Sequence, residues 1–567
     1  MALTYEDIKA LNWYIADQVR DKGNGNNNDA MGVAIPILIF KRLLDMRQEY
    51  KGLFFNPQHQ EQYNVMQLFG NLNQAISNYQ SNAPVFSVKP QNLSFYRVQW
   101  EDILNFPDNH NPQTPLNYAD GYDNTQYFST STDKVGFIQE IIDSFATPKI
   151  NEIFNYLDFQ TKINSSNITQ ILTYQEFIEL LKYLNGYDLS LANAPSDVFS
   201  EAYMDLLVRF APQKGSKQGE FFTPNKITKA GIQMLNPMLS KDGVITACDP
   251  TSGACTFLTE FAEFVFKKEQ EKLGKDKLSD FERKEIAERM QLVIQEKDRV
   301  SFAAGESNLL LHGLLDRTEA YHGNTITEYS IKIGAKYEGK CSYVLANPPY
   351  GLSDYGVVHA TQAKQNGLEL ARWGFGVPNA GDGEFAFLQT IIALLSDKGK
   401  AIVVLPLGTL FRDSTAAQRQ ILVEQKDWVE GIILLPGKLF NTTDIPVCFW
   451  IINKDKSEQD KGKVFFVNAE NDFTKMKNKN DWNIEKAVQN YKERIEEEGY
   501  STYVSIDTIK TNKFDLSVSK YVKKAQEKEV IDINKTLMDI DNIKEKLLSE
   551  KDSIGLIFNQ VKSIYSA

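Results

Sequence analysis

From about residue 195 the chain repeats one unit: a short apolar run ending in a turn of small or polar residues, then a helix-length stretch. The strand candidates are 244–248, 291–296, 342–346, 401–406, 431–435, 447–453 and 464–468. Runs this apolar suit strands buried on both faces, and their alternation with helices predicts an α/β, Rossmann-like, doubly wound sheet. Ligands of such sheets bind beyond the carboxyl ends of the strands, so the residues following each run are the functional candidates.

The run 342–346 is followed by Asn347, Pro348, Pro349 and Tyr350. The exocyclic nitrogen of an aromatic base is a poor nucleophile because its lone pair is delocalised into the ring. Two acceptors facing the amino group localise that pair. Asn347 offers a side-chain oxygen. Pro348 offers a carbonyl from a backbone stiffened and stripped of donors by consecutive prolines, and Tyr350 offers a ring for a flat substrate. An isolated Asn-Pro-Pro also reads as a turn closing a strand, so its surroundings decide. Upstream, 244–248 leads into Asp249, Pro250, Thr251, Ser252, Gly253, Ala254, Cys255 and Thr256, a strand, small-residue turn and helix start that brings backbone N–H groups close to a ligand. Glu296, at the carboxyl end of 291–296, is placed to accept from ribose hydroxyls, although a lone glutamate there also reads as a surface charge. Gly219 to Pro224 reads as an aromatic pair and a helix entry, Thr-Pro suiting the N-cap and N1 positions.

In this order the segments resemble the modification (methyltransferase) subunits of type I restriction-modification systems, N6-adenine DNA methyltransferases that use S-adenosylmethionine. Further matches are Asn308 to Gly313, Leu405 to Phe411, Ile432 to Phe440 and Leu516 to Val522. The resemblance implies S-adenosyl-L-methionine at Glu220, Phe221, Phe222, Thr223, Pro224 and Asn225, at the turn Asp249, Ser252, Gly253, Ala254, Cys255 and Thr256, and at Glu296. It places a flipped adenine at Asn347, Pro348, Pro349 and Tyr350. Two departures stand out: Cys255 or Thr256 where a second glycine is usual, and Asn324 where the family has aspartate, keeping an acceptor oxygen toward the cofactor without the charge. The implied partners are double-stranded DNA, a specificity subunit that reads the sequence, a second copy of the modification subunit and, in complexes that carry one, a restriction subunit.

Charge agrees with that division of labour. Lys and Arg total 62 against 74 Asp and Glu, a net charge of −12, whereas phosphate contacts supply most non-specific DNA affinity. The chain is expected to bind DNA poorly alone. Four cysteines without close paired spacing suggest neither a zinc site nor a disulfide framework. With no membrane-length apolar stretch and no signal-peptide pattern, a soluble cytoplasmic protein is expected.

The expected organisation is a helical N-terminal domain (1–190), the catalytic domain (191–475), a connecting region (476–525) and a C-terminal helix for partner docking (526–567). Within the first, 21–29 reads as a polar loop and 31–50 as a buried helix. The glycine-rich stretch 351–383 reads as a lid, with Arg372 a phosphate ligand and Trp373 a stacking ring, or as a plain surface insertion. Near the C-terminus Ile533, Ile540, Leu547, Ile554 and Val561 recur every seven residues, a single apolar stripe that needs cover from the chain's own N-terminal helices or from another chain. Two competing functions are methylation of a protein side-chain amide, which leaves the N-terminal helices and the stripe unexplained, and a non-catalytic scaffold, against which Asn347 to Tyr350 argues. Cytosine N4 presents a similar amine.

Overall fold

The computed structural model describes residues 3–20, 27–49, 98–119, 126–144, 148–157, 172–190, short pieces between 193 and 206, 223–240, 243–523 without 279, 352–354, 441–443 and 477–478, and 533–565. The N-terminal part is helical: α1 (Tyr5–Arg20), α2 (Asn27–Glu49), α3 (Lys134–Ser144), α4 (Pro148–Leu157) and α5 (Tyr174–Leu184), with one short pairing of β1 (Leu116–Asn117) and β2 (Gln126–Tyr127). Helix α2 starts at Asn27, so the end of the segment expected to be a polar loop is helical. Its buried cations are matched: Lys41 pairs with Asp45 at 2.6 Å, and the Arg42 guanidinium donates to the Leu189 and Ser190 carbonyls. Helix α5 begins with a reciprocal cap between Thr173 and Glu176.

The rest is built on nine strands. In chain order come β3 (Ile245–Asp249), β4 (Met290–Glu296), β5 (Thr318–His322), β6 (Cys341–Ala346), β7 (Leu395–Pro406), β8 (Val429–Leu434), β9 (Val447–Asn453) and β10 (Lys463–Asn468). A separate hairpin follows, β11 (Phe473–Lys475) with β12 (Asn480–Trp482), and then β13 (Ser501–Ser505). The sheet order is β13-β10-β8-β9-β7-β6-β3-β4-β5, parallel except for β9 and β13. Val244, expected to open the first strand, lies just outside it and is 54% exposed. Residues 476–525, expected to be a connection, instead supply β12 and the edge strand β13. Their aromatics carry them there, because Trp482, Tyr491 and Tyr500 are buried in the sheet's core.

Helices α6 (Asn225–Leu235), α7 (Thr256–Leu273), α8 (Arg299–Leu311), α9 (Val357–Gln365), α10 (Gly383–Leu394) and α11 (Glu485–Glu493) flank the sheet. Ile227, Phe257, Phe261 and Val488 share one core with Ile402, Val404 and Phe449. Phe385, Leu388 and Ile391 share the core on the opposite face with Val403, Leu405 and Trp450. Every residue of β9 is buried, as a strand covered on both faces must be. The N-terminal helices pack through Ala303, Ala304, Leu310 and Leu311 of α8, so they support the helix that backs the turn after β3. The last helix, α12 (Ile533–Tyr565), leaves its stripe uncovered: Leu547 is 61% and Ile554 65% exposed. Packing on the chain's own N-terminal helices is therefore not found among the described residues. No helix among them is long and apolar enough to cross a membrane.

Candidate active site

Strand β6 delivers Asn347 to the carboxyl edge of the sheet, and α6 begins beside it. The Asn347 amide donates from Nδ2 to Thr223 Oγ1 at 3.1 Å, and its Oδ1 accepts from the Tyr350 hydroxyl. A carbonyl oxygen has two lone pairs, so one remains for an incoming donor. Pro348 is buried, and among the described residues nothing donates to its carbonyl. The turn is fastened beyond Tyr350 as well. The Tyr355 hydroxyl donates to the Pro349 carbonyl at 3.1 Å, and Gly351 N–H donates to Glu384 Oε1 at 3.1 Å. Glu384 is itself held by Arg412 at 3.3 Å. The Tyr355 ring lies against Gly383, where an added Cβ would stand 1.8 Å from it. Tyr355, Glu384 and Arg412 were not singled out from sequence; the signal available was the glycine at 383, small because a ring crosses it. The Tyr350 ring, expected to offer a face to a flat substrate, is 8% exposed and packs with the core below the turn.

The turn after β3 is held from two sides. Gly253 and Cys255 take left-handed backbone angles, φ 48° and 61°. This is ordinary for glycine and costly for cysteine, and it wraps the chain so that Thr256 starts α7. Glu296 is 8% exposed, not a surface charge. Its Oε2 accepts from Gly253 N–H at 2.9 Å and its Oε1 from Asp298 N–H at 2.8 Å, so one carboxylate ties the ends of β3 and β4. Burial raises its pKa, opposed by those N–H groups. Burial also pushes the Asp249 carboxyl up to about 8, with the Glu296 charge adding to it. Burial holds the Cys255 thiol well above its usual value, as fits a packing role. Asn308 of α8 donates to the Ala254 carbonyl at 2.9 Å. Gly305, one turn earlier, was missed from sequence: a Cβ there would stand 2.7 Å from both Cys255 Sγ and the Gly253 carbonyl. Only glycine lets α8 approach this closely. Ser252 Oγ is buried without a hydrogen-bond partner. A paired carboxylate with lone pairs to spare, an unsatisfied hydroxyl and a tight backbone turn are a donor and acceptor set that fits an adenosine-type cofactor.

Two expectations are corrected. Asn324 Oδ1 accepts from the N–H groups of Ile326 at 2.8 Å and Thr327 at 3.3 Å. Both lone pairs are committed to its own turn, so this oxygen does not serve a cofactor amino group. Within 351–383 the two side chains expected to contact DNA do not face solvent. Arg372 and Trp373 are fully buried. The Arg372 guanidinium lies 4.3 Å from the rings of both Tyr329 and Trp373, and donates to Glu369 and to the Thr325 and Ile326 carbonyls. It braces the 324–327 loop, which is in turn fastened through the Thr325 hydroxyl to the Pro250 carbonyl. Helix α6 opens at Asn225 with Pro224 as its N-cap and Thr223 just before it, one residue later than Thr-Pro at N-cap and N1 predicts, whereas Glu220, Phe221 and Phe222 fall outside the described residues.

The family model described as N-6 DNA Methylase matches residues 194–530, more than half of the chain. The chain belongs to the N-6 DNA methylase family. Among curated relatives of this N-6 DNA methylase, the MjaVII methylase subunit of a type I restriction enzyme from Methanocaldococcus jannaschii is 29% identical over 452 residues, 76% of this chain and 72% of that one. The MpnII methylase subunit from Mycoplasma pneumoniae is 27% identical over 419 residues, 72% of each chain. The solved type I restriction-modification methyltransferase subunit from Streptococcus thermophilus aligns with a TM-score of 0.68 at 20% identity, covering 92% of this chain and 100% of that one. That likeness speaks for the fold. This N-6 DNA methylase is a DNA methyltransferase for the N6 amino group of adenine, and methylation of a protein amide is not favoured.

Proposed function

We propose that this DNA methyltransferase is the modification subunit of a type I restriction-modification complex and takes its methyl group from S-adenosylmethionine. The observation that carries the site assignment is the pair of acceptors at one turn, Asn347 Oδ1 with a lone pair to spare and the undonated Pro348 carbonyl, on a strand adjacent to the Gly253–Glu296 clamp. When bound, S-adenosylmethionine supplies an electrophilic methyl group on a sulfonium. Thr223 to Asn225, Asp249, Ser252 to Thr256 and Glu296 would hold it, with the spare lone pairs of the Glu296 carboxylate as acceptors for the ribose hydroxyls.

The chain's own residues prepare the amine. Asn347 and Pro348 accept its two N–H groups and localise the lone pair away from the ring. The Thr223 hydroxyl fixes the Asn347 amide so that its oxygen, not its nitrogen, faces the substrate. Tyr355 and the Arg412–Glu384 pair keep the turn from relaxing, which is positioning rather than bond making. A separate specificity subunit would read the sequence, with the α12 stripe as its docking face, and a second copy of this chain and a restriction subunit would complete the assembly in the cytoplasm. The test is to sequence DNA for modified bases from cells expressing the chain with and without its candidate specificity subunit. N6-methyladenine at one motif only in the paired cells is the expected result. Methylation by the chain alone would make it a self-sufficient enzyme, and N4-methylcytosine would change the substrate.

A further inference from the structure

An aromatic ring left in water forgoes the gain of burying it, and the sheet region leaves one there at a single place. Among the residues of 223–523 whose burial is described, every Tyr and Trp and all Phe but one are buried or half-buried; the exception is Phe411, 50% exposed. Single exposed apolar residues are ordinary on a protein surface. What gives this one meaning is how it is held and where it stands.

Phe411 follows the short turn Leu407–Leu410 that closes β7, and both of its neighbours are fixed. The Leu410 side chain is buried, and its carbonyl accepts from Leu516 N–H at 2.9 Å. Arg412 N–H donates to the Gly408 carbonyl at 3.0 Å, and the Arg412 carbonyl accepts from Arg419 Nη1 at 2.8 Å. Arg419 is itself buried and also donates to the Thr409 and Phe514 carbonyls. The Phe411 N–H donates to the Gly408 carbonyl at 3.3 Å. A braced turn, not a loose loop, presents the ring to solvent.

Its position is equally specific. Strand β6 lies between β3 and β7 and is parallel to both, so the turns after all three share the carboxyl edge. With the cofactor at the Gly253–Glu296 clamp, the methyl group comes from the β3 side of Asn347, and the side left for the DNA is that of β7. The Phe411 turn is also coupled to the Asn347 turn. Arg412 Nη1 stands 3.3 Å from Glu384 Oε2, and Glu384 Oε1 accepts at 3.1 Å from the N–H of Gly351, the residue after Tyr350. Tyr350, 8% exposed, has most of its ring covered. We infer that Phe411 is a nucleobase-stacking residue, its ring meeting a base of the DNA on the side of the site away from the cofactor; this rests on the proposed placement of cofactor and amine. Every base has a π face, so such a contact adds affinity without reading sequence. That suits a chain whose net charge of −12 gives it little general hold on phosphates. A base is favoured over a protein surface because protein interfaces centre on clustered anchors, whereas Phe411 stands between the buried Leu410 and the polar Arg412, Asp413 and Ser414.

The test uses the full chain assembled with its specificity subunit, and duplexes carrying 2-aminopurine either at the target adenine or at the base beside it. Phe411→Ala should weaken DNA binding about 10- to 100-fold, the scale of one lost stacking contact, with S-adenosylmethionine affinity, thermal midpoint and subunit assembly unchanged. Phe411→Tyr and Phe411→Trp should restore binding, and Phe411→Leu, apolar but without a π face, should not. Loss of 2-aminopurine quenching at the target in Phe411→Ala would show the ring on the extruded base, and loss at the neighbouring position would show it against the duplex; either supports the inference. Unchanged binding in Phe411→Ala, or full recovery in Phe411→Leu, beside a parent that methylates DNA overturns the stacking role and leaves the catalytic assignment standing. Lost assembly in Phe411→Ala also overturns it, making the ring a protein contact. A parent complex that transfers no methyl group refutes the proposed function, and this inference falls with it.

Discussion

The nine-stranded sheet and helix α12 both carry long apolar patterns, and the chain treats them oppositely. In β9 every side chain is buried, whereas in α12 Leu537, Ile540, Ile543, Leu547, Ile554, Ile557 and Val561 are all at least 43% exposed. Each such side chain gains roughly 1.5–3 kcal/mol only when fully covered. The contrast separates two fates of one chemistry: the sheet buries its apolar surface beneath the candidate site, and the helix leaves its own uncovered among the described residues.

The largest expected effect lies on the sheet side. Asn347→Ala should lower methylation by about 10²- to 10⁴-fold, the scale of losing one acceptor to the transition state, while calorimetry shows near-normal S-adenosylmethionine binding. Equal loss of cofactor binding would take the acceptor role away from Asn347. On the helix side, Leu547→Asp with Ile554→Asp should weaken assembly with the specificity subunit by about 100-fold or more and leave the thermal midpoint of the isolated chain unmoved. A large drop in that midpoint would erase the contrast, since it would mean the stripe is covered within the chain.

Two smaller effects sharpen the sheet side. Gly305→Ala puts a methyl group against Cys255 Sγ and the Gly253 carbonyl, and strain of this kind costs about 1–3 kcal/mol. Cofactor affinity should fall about tenfold with assembly intact, as titration of each would reveal. Glu306 on α8 is 1% exposed with Oε2 unpartnered, and burial pushes its carboxyl up to about 8. The folded chain thus retains a proton that the unfolded chain releases above about 4.5, so stability falls as pH rises from about 4.5 toward 8. In Glu306→Gln the denaturation midpoint should decline less over that window; an unchanged pH profile would show that this carboxyl titrates normally.

Most of the sheet was legible because strands covered on both faces leave unbroken apolar runs; six of them emerged within two residues of their expected bounds, and a seventh, β7, begins six residues early at Leu395. The two edge strands β5 and β13 were not, since Thr318 to His322 and Ser501 to Ser505 are largely polar and are held by pairing with β4 and β10. Within the site, Asn347, Gly253 and Glu296 could be read because their chemistry is local to one strand end. Arg372 and Trp373 misled for the reason that makes them structural: a guanidinium and an indole look like nucleic-acid ligands until three carbonyl and carboxylate acceptors and two rings close around them. Asn324 failed differently, its oxygen being taken by N–H groups two and three residues on, a choice that sequence alone leaves open. The stripe of α12 was read correctly as apolar, but periodicity carries no information about which molecule covers it.

The Thr223–Asn347 hydrogen bond joins residues 124 positions apart, whereas the Gly253–Glu296 clamp spans 43. At synthesis rates of about 5–20 residues per second, Asn347 is made on the order of 6 to 25 s after Thr223. The clamp can close on a nascent chain long before the acceptor pair exists, and distant contacts form late in any case. A chain interrupted before β6 therefore lacks the proposed acceptor pair altogether.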